Sequence, residues 1–173
     1  PVMRPPLVRR SLLQGLALAL LLWALGGGQA QAQGTELALL QLQRQEGELA
    51  LDFDARVTLP KAVEDAMQRG VPVYFVAEAT LYRSRWYWRD ERVARVQRSW
   101  RVAYQPLTST WRVGFGGFNQ SFQTLNEALT VVSRSTRWKL AELSQLDPDA
   151  RHYLEFSYRL DNSQLPSPMQ LGL

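Results

Sequence analysis

Val71-Pro72-Val73-Tyr74-Phe75-Val76-Ala77-Glu78-Ala79-Thr80-Leu81-Tyr82 carries apolar side chains at every odd position, with Glu78 and Thr80 between them. A period of two sends successive side chains to opposite faces of an extended chain, so Val73, Phe75, Ala77, Ala79 and Leu81 predict one buried face of a β-strand. Tyr74, Val76 and Tyr82 add bulk to the second face, which predicts a central strand or one covered by a further layer. The strand leads directly into Arg83-Ser84-Arg85-Trp86-Tyr87-Trp88-Arg89, the densest concentration of aromatic and guanidinium groups in the sequence.

Downstream, Ala94, Val96, Trp100, Val102 and Tyr104 share one face with Arg98, while Arg95, Gln97, Ser99 and Arg101 share the other. This pattern predicts a long antiparallel partner for the first strand. The connecting residues Arg89-Asp90-Glu91-Arg92 carry both charges and no apolar anchor, as a solvated turn does. After a turn at Gln105-Pro106-Leu107-Thr108-Ser109, Trp111, Val113 and Phe115 alternate with Arg112 and Gly114 as a third strand, completing a meander.

Upstream, residues 37–42 predict a strand, followed through Gln45-Glu46-Gly47 by the cleanest alternation in the chain: Leu49, Leu51, Phe53, Ala55, Val57 and Leu59 against Glu48, Asp52, Asp54, Arg56 and Thr58. One face is buried and the other wet. Asp52 and Asp54 project together from the wet face, as a cation-holding or acid–base pair or as ordinary solvated carboxylates. Pro60 then opens a short helix over residues 60–69, apolar at Val63, Ala66 and Met67, and Gly70 closes it with a left-handed cap.

Beyond the meander, Gly114-Phe115-Gly116-Gly117-Phe118 bends the chain without the strand-to-helix context of a phosphate loop. Thr124-Leu125-Asn126-Glu127 is a capping box, which predicts a second amphipathic helix over residues 124–134. Residues 138–143 are short, apolar and ambiguous between helix and strand. Asp147-Pro148-Asp149 marks a turn, and His152, Leu154, Phe156, Tyr158 and Leu160 alternate with polar residues as a last strand. In the tail, Pro166 and Pro168 withhold ladder donors, so Leu165-Pro166-Ser167-Pro168-Met169 belongs on the surface or along an edge. The fold class expected is α+β: an antiparallel β-rich sheet or two-layer sandwich with two short amphipathic helices. An all-β immunoglobulin-like sandwich is the alternative.

The N-terminus has the three parts of a secretory signal: Arg4, Arg9 and Arg10, an apolar run from Leu12 to Leu25, and Ala30-Gln31-Ala32 as a cleavage site. The expectation is a signal peptide over residues 1–32, cleaved after Ala30 or Ala32, leaving residues 33–173 as one exported domain. The apolar run is shorter than the roughly 20 residues of a spanning helix, so an N-terminal membrane anchor is the alternative. Arg9-Arg10-Ser11-Leu12-Leu13 also has the form of a twin-arginine export signal.

The formal charge of +4 and pI of 9.8 invite a nucleic-acid reading. Three of the 20 Lys and Arg precede Ala32, however, leaving 17 against all 16 Asp and Glu, so the exported domain is near neutral and strong phosphate-driven binding is not expected. The chain has no cysteine, which excludes disulfides, thiolate nucleophiles and cysteine-held metals. His152 is the only histidine, no G-x-S-x-G elbow is present, and Asp147 and Asp149 lack the spacing of a calcium loop. No catalytic residue, metal or cofactor is expected.

Binding is the better use of this inventory. Trp and Arg dominate binding hot spots because they bury much area and keep a polar handle, which singles out Arg85, Trp86, Trp88, Arg89, Arg95 and Arg101. In an extended segment Trp86 and Trp88 share a side, with Arg95 and Arg101 flanking them on a neighbouring strand face. The competing arrangement packs both tryptophans inward and pairs the arginines with Glu78 and Asp90. The functions that follow are a non-catalytic domain binding an envelope protein partner, a binder of anionic lipid head groups or glycan, or a hydrolase dependent on His152.

Gly70-Val71-Pro72-Val73-Tyr74-Phe75, Arg85-Trp86-Tyr87-Trp88-Arg89-Asp90, Tyr104-Gln105-Pro106-Leu107-Thr108, Ser121-Phe122 with Glu127-Ala128-Leu129, and Leu160-Asp161-Asn162-Ser163-Gln164-Leu165-Pro166 occur in this order. The set resembles a proteobacterial family known as domain of unknown function 4390, across nearly all of residues 33–173. The resemblance implies an exported bacterial envelope protein and supplies no catalytic residues. Members of that family tend to continue past the Leu-Pro tail into a further tryptophan-containing segment, a pattern from which this sequence, ending at Leu173, departs.

Overall fold

Two antiparallel sheets share one core in the computed structural model, which describes residues 35–161 and 163. In chain order the elements are β1 (Thr35–Gln45), β2 (Glu48–Val57), α1 (Lys61–Gln68), β3 (Val73–Arg83), β4 (Glu91–Gln105), β5 (Thr110–Phe115), β6 (Phe118–Phe122), α2 (Leu125–Val132), β7 (Arg134–Glu142), a 3-10 turn (Leu143–Gln145) and β8 (His152–Asp161). The smaller sheet has the order β1-β2-β7 and the larger β6-β5-β4-β3-β8. The fold is an α+β sandwich.

β3 is the central strand its two-sided bulk predicts. It pairs with β4 from Val73↔Val102 to Arg83↔Glu91, and with β8 from Tyr74↔Asp161 to Arg83↔His152. Val73, Phe75, Ala77, Ala79 and Leu81 are at most 2% exposed, facing Leu51, Phe53, Val63 and Met67 from the layer above. Phe53 is the hub where the layers meet: its ring lies 5.0 Å from Phe156, 5.6 Å from Tyr158 and 6.2 Å from both Trp100 and Trp138. Tilted and edge-on rings at these spacings suit the aromatic quadrupole.

The helices follow local signals. Pro60 is the residue before the first turn of α1, its carbonyl accepting from Glu64 N–H at 3.1 Å. Gly70 takes φ +96° and donates to Met67 O, with Val71 N–H closing on Ala66 O. Thr124 Oγ1 accepts from Glu127 N–H at 3.2 Å, while the Glu127 carboxylate takes the Gln123 amide, one residue earlier than the expected capping box places it.

One expectation is corrected, an ambiguous segment is resolved and a turn gains a partner strand. The second helix stops at Val132 rather than running to Arg134: Ser133 caps it, and its carbonyl accepts from Ala55 N–H at 2.8 Å, so the chain enters the sheet at once. The ambiguous residues 138–143 belong largely to β7, whose left-handed Arg137 (φ +52°) interrupts the alternation that would have revealed a strand. The glycine bend at 116–117 is a hairpin into β6, a strand with no apolar alternation that exists because β5 offers it a ladder. Residues 1–32, expected to be a signal peptide, and the 165–169 tail lie outside the described residues. Among the described residues, no helix is long and apolar enough to cross a membrane.

Candidate functional site

Residues 84–90 join β3 to β4, and a register shift after Leu81 starts their departure from the sheet. The base of this loop is tied down repeatedly. Arg83 and Arg85 both donate to Glu91 Oε2, and Arg83 Nη1 lies 3.8 Å from Asp147 Oδ2. Ser84 N–H donates to Arg151 O at 2.8 Å, Arg85 N–H to Asp90 Oδ1 at 3.1 Å, and the Tyr153 hydroxyl to Asp90 Oδ2 at 2.7 Å. The hydrogen bond from Arg83 holds the Glu91 carboxyl below its ordinary range, and the Tyr153 phenol does the same for Asp90.

The tip is the opposite of buried: Trp86 is 95% exposed, Tyr87 66% and Trp88 72%. The inward packing open to the two tryptophans is therefore not taken. The segment is bent rather than extended, and Trp86 meets the Tyr87 ring edge-on at 5.3 Å instead of leaving it on the opposite side. Arg89 and Arg92 are exposed and form no ion pair among the described residues.

The arginines assigned to this surface divide. Arg85 is half-buried in the brace, and Arg89 belongs to the tip. Arg95 pairs with Glu78 at 2.8 Å, and that hydrogen bond raises its pKa. Arg101 lies opposite Tyr74 at the far end of β3, ten positions along the strand from Glu91, or about 33 Å at the usual rise. It does not flank the tryptophans.

Beside the loop is a cavity of about 490 Å³ lined by Arg83, Arg85, Trp86 and Tyr87 on one wall and by Asp147, Asp149 and Arg151 on the other. Sequence reasoning missed the second wall, and nothing local signals it, because the β7–β8 connection arrives more than fifty residues later.

The catalytic candidates are placed elsewhere. His152 Nε2 is buried without a hydrogen-bond partner among the described residues, in the wall of a cavity of about 250 Å³ shared with Leu42, Leu49, Leu81 and Leu146. Among the described residues, no carboxylate or aliphatic hydroxyl lines that cavity. Asp52 Oδ1 accepts from Arg137 N–H and Oδ2 from Gln43, each at 2.7 Å, and Asp54 pairs with Arg134 at 3.1 Å. Both carboxylates thus brace β2 against its neighbours. No cluster of three or more metal-ligating side chains occurs among the described residues.

No curated protein and no solved structure matches the chain. A family model does, over residues 32–173. With the β3–β4 loop and its outward Trp86, Tyr87 and Trp88 as this chain's candidate site, the chain belongs to the family described as domain of unknown function DUF4390.

Proposed function

We propose that residues 33–173 act as a non-catalytic binding domain in the cell envelope and hold a protein partner through the β3–β4 loop. The observation that carries this reading is the display of three consecutive aromatic side chains at 95, 66 and 72% exposure on a loop whose base is fixed by hydrogen bonds and ion pairs. An indole buries about 150–250 Å² when covered, or on the order of 4–6 kcal/mol gross at 25 cal/mol per Å². A braced loop loses little conformational freedom when it binds. The three-part pattern of residues 1–32 supports export.

The mixed charge of the adjoining cavity, with Arg83 and Arg85 on one wall and Asp147, Asp149 and Arg151 on the other, favours a protein segment over a uniformly anionic surface. The second reading, anionic lipid head groups or glycan, draws on the exposed guanidiniums of Arg89 in the loop and Arg92 at the start of β4, neither of which forms an ion pair among the described residues.

The test is site-specific photocrosslinking in cells from a probe at position 86 or 88. The control probe sits at Leu107, 102% exposed in the β4–β5 turn. Discrete protein adducts from the loop and none from the turn are expected. Equal labelling from both sites overturns the reading, and vesicle association lost on Arg89→Glu with Arg92→Glu would support the second.

A further inference from the structure

Arg98 stands half-buried on the inner face of β4, a cation whose charge the described residues do not answer. Its Nη1 donates to Ser135 Oγ at 2.6 Å, and the guanidinium lies over the Trp138 ring at 5.0 Å and the Phe115 ring at 5.5 Å. Residues 1–34 and 162–173 hold no Asp or Glu, so all 16 carboxylate side chains of the sequence fall among the described residues, and none of them pairs with Arg98. A guanidinium has five N–H donors in a fixed fork. Burying it without an anion is costly, and two aromatic rings offset only part of that cost.

Phe115 also belongs to a groove of about 410 Å³ between the β5–β6 hairpin and α2, with Trp100, Val113, Phe118 and Val131 as the rest of its apolar lining. Phe115 stacks on Trp100 at 5.6 Å and 23°, so the guanidinium and the floor of the groove meet at one ring. The size lies within the roughly 300–1,000 Å³ usual for small-molecule sites, which combine apolar walls with a few placed polar groups. Thr35, the first described residue, bonds Tyr158 of β8, and Asp161 ends β8 opposite Tyr74. Both ends of the described sheet region thus lie on the β8 side, four strands from β6, or about 19 Å at the usual strand spacing.

We propose that this groove binds an amphiphilic carboxylate, with its acyl chain along Trp100, Phe115 and Val131 and its head on Arg98. The guanidinium fork matches a carboxylate through two parallel hydrogen bonds, and the half-buried setting strengthens them. A peptide fits the groove less well. It brings a polar amide at every residue, whereas Asn119 and Gln120 are the polar members of the lining among the described residues, and an amide left unpaired against apolar walls is costly. The site is separate from the aromatic loop: Trp100 lies nine positions along β4 from Glu91, or about 30 Å at the usual rise.

Titration of the full chain with decanoate, kept below micelle formation and followed by NMR, tests the proposal. Saturable shifts are expected at the Val113 and Val131 methyls and at the Arg98 Nε–H. Decanol keeps the chain and lacks the charge, and is expected to bind on the order of 10-fold or more weakly. Arg98→Met should weaken decanoate by a similar factor and leave decanol unchanged, while Phe118→Ala should weaken both. Equal affinity for decanoate and decanol overturns the proposal, as do saturable shifts confined to other parts of the chain or none at all. A capped peptide with a glutamate between two leucines that binds the groove more tightly than decanoate overturns it in favour of a protein segment. The comparison of ligands on the native protein decides even where a variant does not fold.

Discussion

The phenol of Tyr153 donates to Asp90 across 2.7 Å, so a side chain of the last described strand fixes a loop 63 residues earlier in the chain. The Tyr153 ring also stacks on Tyr82 at 5.2 Å and 19°, placing it at the root of the aromatic tip. The display of Trp86 to Trp88 therefore depends on β8 as much as on the hairpin that carries it.

This contact has a pH signature. The hydrogen bond to Asp90 pushes the Tyr153 pKa up to about 12, so its contribution is complete below the ordinary tyrosine value of about 10 and is lost as pH rises toward 12. Asp90 is lowered by the same bond, so its contribution is present above the ordinary Asp value of about 3.9 and disappears as pH falls through the lowered one. Phenolate absorbance, taken as the difference between the native protein and Tyr153→Phe, should show Tyr153 ionising late. Asp90→Ala should return it toward its ordinary range, and a Tyr153 that ionises normally in the native protein rules the bond out in solution.

The tryptophans separate into two populations. Trp86 and Trp88 are 95 and 72% exposed, whereas Trp100 and Trp138 are each 5% exposed. Trp86→Ala and Trp88→Ala are expected to change unfolding free energy by no more than about 0.5 kcal/mol. Trp100→Ala or Trp138→Ala should cost about 3–5 kcal/mol. Denaturant unfolding of the four variants checks this, and a large loss at position 86 would mean that the loop supports the fold.

Arg98 sits on the inner face of β4, with its guanidinium 5.0 Å from the Trp138 ring, 5.5 Å from Phe115 and 2.6 Å from Ser135 Oγ. It has no carboxylate partner among the described residues, and burial lowers its pKa. Arg98→Met keeps the packing and removes the desolvated charge, so stability should hold within about 1 kcal/mol. Arg98→Ala also loses the stem's contacts and should be clearly the worse of the two in thermal unfolding.

Asp52 satisfies the backbone N–H of Arg137 where that residue takes φ +52°. Asp52→Ala strands this amide beside the β7 irregularity and should cost about 1–3 kcal/mol. Asp52→Asn, which keeps an acceptor oxygen, should recover a substantial part. Equal losses in the two variants, measured by denaturant unfolding, would refute the bracing role.

Much of the fold was legible in residue order. The alternations at Leu49 to Val57, Val73 to Leu81 and Leu154 to Leu160 report a half-buried sheet, because burial on one face acts residue by residue with period two. The breaks were less legible. β6 lacks apolar alternation, since a hairpin turn and the free ladder of β5 are enough to recruit it, and β7 loses its period at Arg137.

By itself the sequence determined which segments extend, where Pro60 and Thr124 start helices, and that the chain carries no cysteine and a single histidine. Those features depend on local sterics, hydrogen-bonding capacity and composition. Only the tertiary structure decided that the tip aromatics point outward, that Asp147, Arg151 and Tyr153 stand beside them, and that Arg101 lies far away. Strand pairing joins residues distant in sequence, and the orientation of a loop depends on whichever side chains that pairing delivers to its base.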